Sequence, residues 1–229
     1  ALVCVAQAVS TALLGAVGWS AFKRFPAAAA EPLAADRREI RDFVVQSSVA
    51  TGMLSLRTTL APLLLGAVAS PTQLGLYRIA QAPQNGLAAA TAPVRLVLLT
   101  EQTRDWERGA ERSVMRGVRR YMLGAGALMV VTVPVFLLLM PWLVPTVFGD
   151  DKDGATHAAQ VVLLAAAVQV VLGWTKSLPV SIGRPRLRIV THGIETAVLL
   201  PLTVALGAPW GATGAAFAML AGTLVFGAV

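Results

Sequence analysis

The feature that most constrains this chain is a series of long apolar segments, separated by short segments that carry most of the charges. A hydrocarbon core about 30 Å thick needs about 20 helical residues to cross it. Windows of that length predict seven candidate spans, at residues 1–22, 43–67, 74–99, 121–145, 156–180, 188–206 and 211–229. We therefore predict an all-α fold, a polytopic membrane helical bundle of about seven spans.

The composition agrees with lipid as the main solvent. Hydrophobic residues make up 56% of the chain and charged residues 14%, and the mean hydropathy of +0.68 is too high for an ordinary soluble domain. The net charge of +7 would suggest a nucleic-acid partner in a soluble protein. Here the cations lie in short loops, so we expect anionic lipid headgroups as partners and no nucleic acid. The single cysteine, Cys4, excludes a disulfide framework.

The loop charges predict the orientation of the bundle. Alternate loops hold fourteen cations on one side, whereas the other set holds only Lys152. The fourteen are Lys23, Arg24, Arg37, Arg38, Arg41, Arg104, Arg108, Arg112, Arg116, Arg119, Arg120, Arg184, Arg186 and Arg188. Because short loops rich in Lys and Arg stay in the cytoplasm, this side is predicted to be internal, in a multi-pass protein of the inner (cytoplasmic) membrane. Since the chain begins without Met in one apolar stretch and ends in another, we interpret it as a piece of a longer protein.

Residues 100–120 show a different pattern. Apolar residues recur there at spacings of three and four, and arginines follow a second stripe. This pattern predicts an amphipathic helix at the membrane interface, with its arginines against anionic headgroups. A regulatory or partner-binding role is the alternative.

Arg57 and Arg78 are the most informative polar residues within the spans. At 1.5 Å per residue from the turn near Ser70, they lie roughly 19 Å and 12 Å along their helices, close to the midplane. Gln46 shares the face of Arg57, while Gln81 and Asn85 accompany Arg78. Cations with amide neighbours would suit a water-filled cavity for an anionic group. Alternatively, each arginine caps a broken helix or pairs with an acid in a missing part of the protein.

Glu195, with His192 one turn before it, is a candidate for coupling transport to a proton or sodium ion. Its position near the cytoplasmic end of its span favours a solvated carboxylate or one paired with Arg188. Arg95 and Lys176 lie close enough to the inner surface for their side chains to snorkel towards it.

The sequence lacks the usual signatures of catalysis. Its two histidines lie on different segments, and neither a Ser-x-x-Lys nor a His-Glu-x-x-His pattern occurs. We therefore expect a protein that is not an enzyme and that needs no cofactor and no metal.

Four segments, in their order and sidedness, resemble the polysaccharide exporter branch of the multidrug/oligosaccharidyl-lipid/polysaccharide (MOP) superfamily, the O-antigen type flippases. They are Gly75-Leu-Tyr-Arg-Ile-Ala80, Pro141-Trp-Leu-Val-Pro-Thr-Val-Phe-Gly149, Gly183-Arg-Pro-Arg186 and Gly207-Ala-Pro-Trp-Gly-Ala-Thr-Gly-Ala-Ala216. The resemblance implies two bundles around a central cavity. Residues 1–22 would be the last span of the N-terminal bundle, 23–42 the cytoplasmic linker, and 43–229 the C-terminal bundle, with the rest of the N-terminal bundle missing.

The same resemblance implies a function. Members of this family are thought to flip lipid-linked oligosaccharide or polysaccharide precursors by alternating access, with cavity arginines holding the lipid phosphate. Arg57 and Arg78 would then hold that phosphate, and Gln46, Gln81 and Asn85 would bind sugar hydroxyls. A cation-coupled multidrug extruder of the same superfamily, an integral membrane glycan polymerase or transferase, and a purely structural membrane subunit are the alternatives.

Overall fold

The computed structural model describes residues 2–23, 37–184 and 186–228, and these form helices joined by short turns, with no strand among them. Helix α1 (Leu2–Phe22) belongs to a first unit, Ala1–Glu39, and the other helices make up a second unit, Ile40–Val229. The helices of the second unit are α2 (Arg37–Val68, which begins in the first), α3 (Pro71–Ala80), α4 (Ala82–Glu107), α5 (Glu111–Phe148), α6 (Thr156–Val171), α7 (Leu178–Ser181) and α8 (Arg186–Ala228). Two 3-10 helices, Asp150–Ala155 and Gly173–Lys176, precede α6 and α7.

The all-α prediction is confirmed over the described residues. Four segments there are long and apolar enough to cross a membrane, namely Arg37–Val68, Glu111–Phe148, Asp150–Val171 and Arg186–Ala228. Large apolar side chains on α5 face outward, as lipid contact requires: Leu138 is 83% exposed. A bundle with membrane-spanning helices is thus supported, while the count of seven spans stays a prediction.

Alanine-rich α6 lies at the centre of the second unit and packs against α3, α4, α5 and α8. Its buried face is mostly alanine and valine, including Ala158, Ala159 and Val162. Small side chains let helix backbones approach closely, which is how helices gain contact when lipid removes the usual hydrophobic drive. The core formed in this way surrounds the polar groups described below.

The last two predicted spans form a helical hairpin within the segment called α8, which is interrupted at Gly211. Gly211, with φ 55° and ψ −131°, breaks the helical conformation. The His192 ring stacks on Phe226 with centroids 5.4 Å apart, whereas a straight helix would separate these residues by about 50 Å. Residues 186–210 and 212–228 therefore run antiparallel. Gly214 permits their closest approach, because a Cβ there would overlap the Leu206 carbonyl.

The turn before α3 supports this hairpin. The Gln73 side chain accepts a hydrogen bond from the Ala212 N–H (2.8 Å), at the start of the returning helix. Ser70 caps α3 by accepting from the Gln73 N–H (3.2 Å), which fixes the backbone that carries Gln73. The turn near Ser70 and the turn at Gly211 therefore meet in space.

Three predicted segments are divided in the structure, so their single-helix predictions are wrong. The span 74–99 breaks at Gln81, where Pro83 begins a new helix. The span 156–180 breaks after Val171, where α6 gives way to a 3-10 helix. The amphipathic segment 100–120 breaks at Gly109, whose φ of 69° ends α4.

The break at Gly109 is a Schellman motif. The Gly109 N–H donates to the Trp106 carbonyl (2.9 Å), and the Ala110 N–H donates to the Asp105 carbonyl (2.9 Å). The apolar periodicity of residues 100–120 continues across this turn, because the ends of two helices contribute to it. The predicted linker 23–42 also changes: residues 24–36 lie outside the described residues, and from Arg37 onward the segment is already α2.

Candidate functional site

Arg57, Glu195 and His192 form a charged cluster inside the second unit, called here the paired cluster. Arg57 Nη1 forms an ion pair with Glu195 Oε1, and His192 Nδ1 lies 3.3 Å from Glu195 Oε2. The three side chains are 11%, 5% and 3% exposed, respectively. Both carboxylate oxygens of Glu195 are thus engaged by groups from α2 and α8.

This pairing decides two questions that the sequence left open. The partner of Arg57 is an acid of this chain, and the prediction that Glu195 is solvated or paired with Arg188 is wrong. The reason is the fold of α8, since the buried face that carries His192 and Glu195 also carries Leu199 and Thr203, and this face turns towards the core. Arg188 lies near the beginning of α8, about two turns before Glu195.

A cavity of about 40 Å³ adjoins the paired cluster. Arg57, Glu195, Tyr77, Gln81 and Gln84 are among its lining residues. The break between α3 and α4 places Gln81 there, so this predicted site residue does lie beside Arg57.

The other predicted site residues lie elsewhere. Arg78 and Asn85 are exposed, Gln46 is half-buried, and none of them lines this cavity in the described chain. Arg78 faces away because Tyr77 and Ala80 define the buried side of α3, and the next residue after Tyr77 is rotated by 100°. Arg57 and Arg78 therefore do not line the same cavity among the described residues, and a joint role of the two arginines stays a prediction.

Two side-chain amides and a hydroxyl form a chain of hydrogen bonds across the bundle next to the cavity. Gln84 Nε2 donates to Gln169 Oε1 (3.2 Å), and Gln169 Nε2 donates to Thr223 Oγ1 (3.1 Å). The sequence analysis missed these residues, although a glutamine inside an apolar span is a usable signal because its amide must find partners in lipid. The three groups tie α4, α6 and α8 together through the bundle interior.

Arg95 and Lys176 line a second cavity of about 30 Å³, and we call these two cations the unpaired cluster. Gln84, Gln169 and Tyr121 also line it, so the two cavities share the glutamine pair. Neither cation forms an ion pair within the described residues.

The interpretation of Arg95 as a snorkelling side chain is wrong. Its Nη2 donates to the Ala88 carbonyl (3.3 Å). Ala88 lies seven residues before Arg95, about 10 Å along α4. The side chain therefore extends away from the predicted cytoplasmic end of the helix. Its Nε is buried without a hydrogen-bond partner. The side chain thus points along the cavity wall towards the bundle interior.

Tyr121 closes one side of this second cavity. Its hydroxyl donates to the Val170 carbonyl (2.6 Å), one of the groups left free where α6 ends. Gly173 makes room for the ring, because a Cβ at that position would overlap the Tyr121 hydroxyl. The break in the predicted span 156–180 therefore has a specific packing partner.

The interior of the second unit carries an excess of positive charge. Lys176 is repelled by Arg95, Arg57 and Arg188 and attracted by Glu195. Arg57, Arg95 and Lys176 contribute three positive charges to this interior, where Glu195 is the one acid among the described buried residues.

Comparison with known proteins adds no assignment to this geometry: no family model, no curated protein and no solved structure matches the chain.

Proposed function

We propose that this chain is part of a transporter that flips a lipid-linked oligosaccharide or polysaccharide precursor across the cytoplasmic membrane by alternating access. The observation that carries the proposal is the positive interior, where Arg57, Arg95 and Lys176 line two cavities that share Gln84 and Gln169, and Glu195 is the one acid among the described buried residues. A pathway with excess buried cations favours a cargo that carries phosphate, because charge-assisted bonds to phosphate repay the cost of desolvation.

In the proposed cycle, Arg57 exchanges partners. With no cargo, Glu195 neutralises Arg57 within the bundle. When the phosphate of the cargo approaches, Arg57 turns to it, and the released Glu195 carboxylate takes up a proton or a sodium ion beside His192. This exchange links cargo to coupling ion through one shared residue, so neither charge is left alone in the apolar interior.

The amides would contribute recognition of the glycan. Gln81, at the cavity wall, is placed to bind sugar hydroxyls. Arg78, Asn85 and Gln46 are proposed to complete the site towards the N-terminal bundle that the proposed transporter fold would supply, which their exposed or half-buried positions permit.

Extrusion of cationic drugs is the less favoured function. Its best support is Glu195, a buried carboxylate at a cavity wall. That carboxylate is already neutralised by Arg57, and the further cations nearby would repel a drug of the same sign.

The experiment is glycan export by cells that depend on the full-length protein. The double variant Arg57→Gln/Glu195→Gln removes both buried charges together, so neither is stranded and the fold is preserved. We expect surface glycan to fall at least tenfold while protein abundance in the membrane stays normal. The control Arg184→Ala removes an exposed loop cation and should leave export unchanged. Normal export by the double variant would contradict the proposal.

A further inference from the structure

The unpaired cluster lacks a counter-charge that the bundle interior requires. Arg95 and Lys176 contribute two positive charges to one small cavity, and none of its described lining residues is acidic. Burial of an uncompensated charge is costly, so charged groups inside proteins are paired or bind ions.

The protein groups nearby do not supply that counter-charge. Glu195, the one acid that acts on Lys176, is occupied on both oxygens by Arg57 and His192. The end of α6 offers the partial negative charge of a helix carboxyl terminus, about half a unit, which falls well short of two cations. The Val170 carbonyl at that end is also already bonded to Tyr121.

The donors of Arg95 and Lys176 are incompletely used within the described residues. Arg95 Nε is buried without a hydrogen-bond partner, although Nη2 of the same guanidinium is bonded to a carbonyl. The Lys176 ammonium forms no ion pair in the described chain. A ligand that only accepts hydrogen bonds would satisfy both cations at once.

The size of the cavity restricts the ligand. A volume of about 30 Å³ holds about two waters, and a single halide ion occupies a similar space. A tetrahedral phosphate, with four oxygens around its centre, is considerably larger than a halide ion. We infer that the cavity between Arg95 and Lys176 binds one small monovalent anion of the halide class, such as chloride, at a site separate from the phosphate of any transported cargo.

The test is thermal unfolding of the purified full-length protein in lipid nanodiscs, in sodium chloride, bromide or gluconate at fixed ionic strength. We expect either halide to raise Tm over gluconate saturably, by roughly 3 °C. Lys176→Gln should abolish this gain and Lys176→Arg should keep it. Lys152→Gln, which removes an exposed cation far from the cavity lining, should respond as the unaltered protein does.

Three results would overturn the inference. Equal Tm in chloride and gluconate would mean that Lys176 is held neutral instead of being compensated by an anion. An unchanged halide response in Lys176→Gln would place any bound anion elsewhere. A gain from inorganic phosphate at lower concentration than from chloride would identify a phosphate site instead. If Lys176→Gln fails to fold, anomalous diffraction from crystals of the unaltered protein in bromide replaces that test. A bromide peak between Arg95 and Lys176 would support the site, and bromide found only elsewhere would reject it.

Discussion

The paired cluster and the unpaired cluster place similar cations in the same apolar bundle with different outcomes. Arg57 reaches Glu195, whereas Arg95 and Lys176 share a cavity that has no acidic lining residue among those described. The difference follows from the number of acidic residues available, because Glu195 is the single acidic residue in segments 43–100, 112–149 and 154–229. Once α8 folds back and presents that carboxylate to Arg57, no second acid is left for the other cations.

The ion pair between Arg57 and Glu195 has two proposed roles. It connects α8 to α2 and, in the proposed cycle, keeps Arg57 available for exchange with an anionic cargo. The unpaired cluster, which lacks a protein partner, depends on a mobile ion instead. The two clusters should therefore respond to different perturbations: the first to substitution of the acid, the second to the anion in solution.

The largest effect is expected from Glu195→Gln. It leaves Arg57 buried without its counter-charge, and breaking a buried pair costs about 3–5 kcal/mol. Unfolding of the protein by denaturant in mixed micelles measures this loss. Lys176→Gln, assayed in gluconate, should cost less than Glu195→Gln or even stabilise the protein, because it removes a repelled charge and breaks no ion pair.

The double variant Arg57→Met/Glu195→Leu provides the control for this prediction. Replacing both members of a buried pair with apolar residues of similar volume is often neutral or stabilising. We expect the double variant to recover most of the free energy of unfolding lost by Glu195→Gln. A loss equal to that of the single variant would show that packing, and not the missing charge, causes the effect.

The sequence predicted Arg57 and Gln81 as site residues because ionisable and amide groups inside apolar spans are costly enough to stand out. Their partners could not be predicted. Arg57 and Glu195 lie on helices distant in the sequence, and which acid meets which arginine depends on how α8 turns at Gly211. Arg78 was predicted from its depth along the helix alone, whereas Tyr77 and Ala80 define the buried side of α3 and leave Arg78 exposed.

The turns, like the site residues, were predicted only in part. The boundary between the predicted spans 188–206 and 211–229 was placed correctly, because Pro209 and Gly211 disfavour a regular helix. The break at Gly173 was missed: a single glycine in an apolar run is common in membrane helices, and its reason here is the Tyr121 ring packed from α5. Single-sequence periodicity therefore located apolar segments well and the interruptions within them poorly.

An intermediate effect is expected from Gly211→Ala. This substitution should disturb the α8 hairpin, which carries part of the paired cluster, and leave the unpaired cluster intact. The backbone at φ 55° and ψ −131° suits only glycine, and an added Cβ would overlap the Gln73 side chain. Strain of this kind costs about 1–3 kcal/mol. The halide-dependent Tm gain should survive, since the cavity of the unpaired cluster is lined by α4, α5, α6 and Lys176 of the following 3-10 helix, without α8.

Gly117→Ala is the matched control for that substitution. Gly117 lies inside α5 with open space around the position of a Cβ, so alanine there should be neutral or slightly stabilising. Loss of the halide response in Gly211→Ala would show that the two clusters form one cooperative site and would break the comparison.

The smallest effect is expected from the two tyrosines of the chain, one beside each cluster. Tyr121→Phe removes the bond to the Val170 carbonyl (2.6 Å) and should cost about 1 kcal/mol in the free energy of unfolding. Tyr77→Phe removes a weak O–H···S contact with Met219 (3.8 Å) and an interaction of the hydroxyl with the Gln81 side chain, and should cost no more than that. Because the Tyr121 hydroxyl donates to a carbonyl and not into the cavity, Tyr121→Phe should keep the halide-dependent Tm gain. If that gain disappears, the hydroxyl must turn to the anion when it binds, and the unpaired cluster then has three anion ligands instead of two.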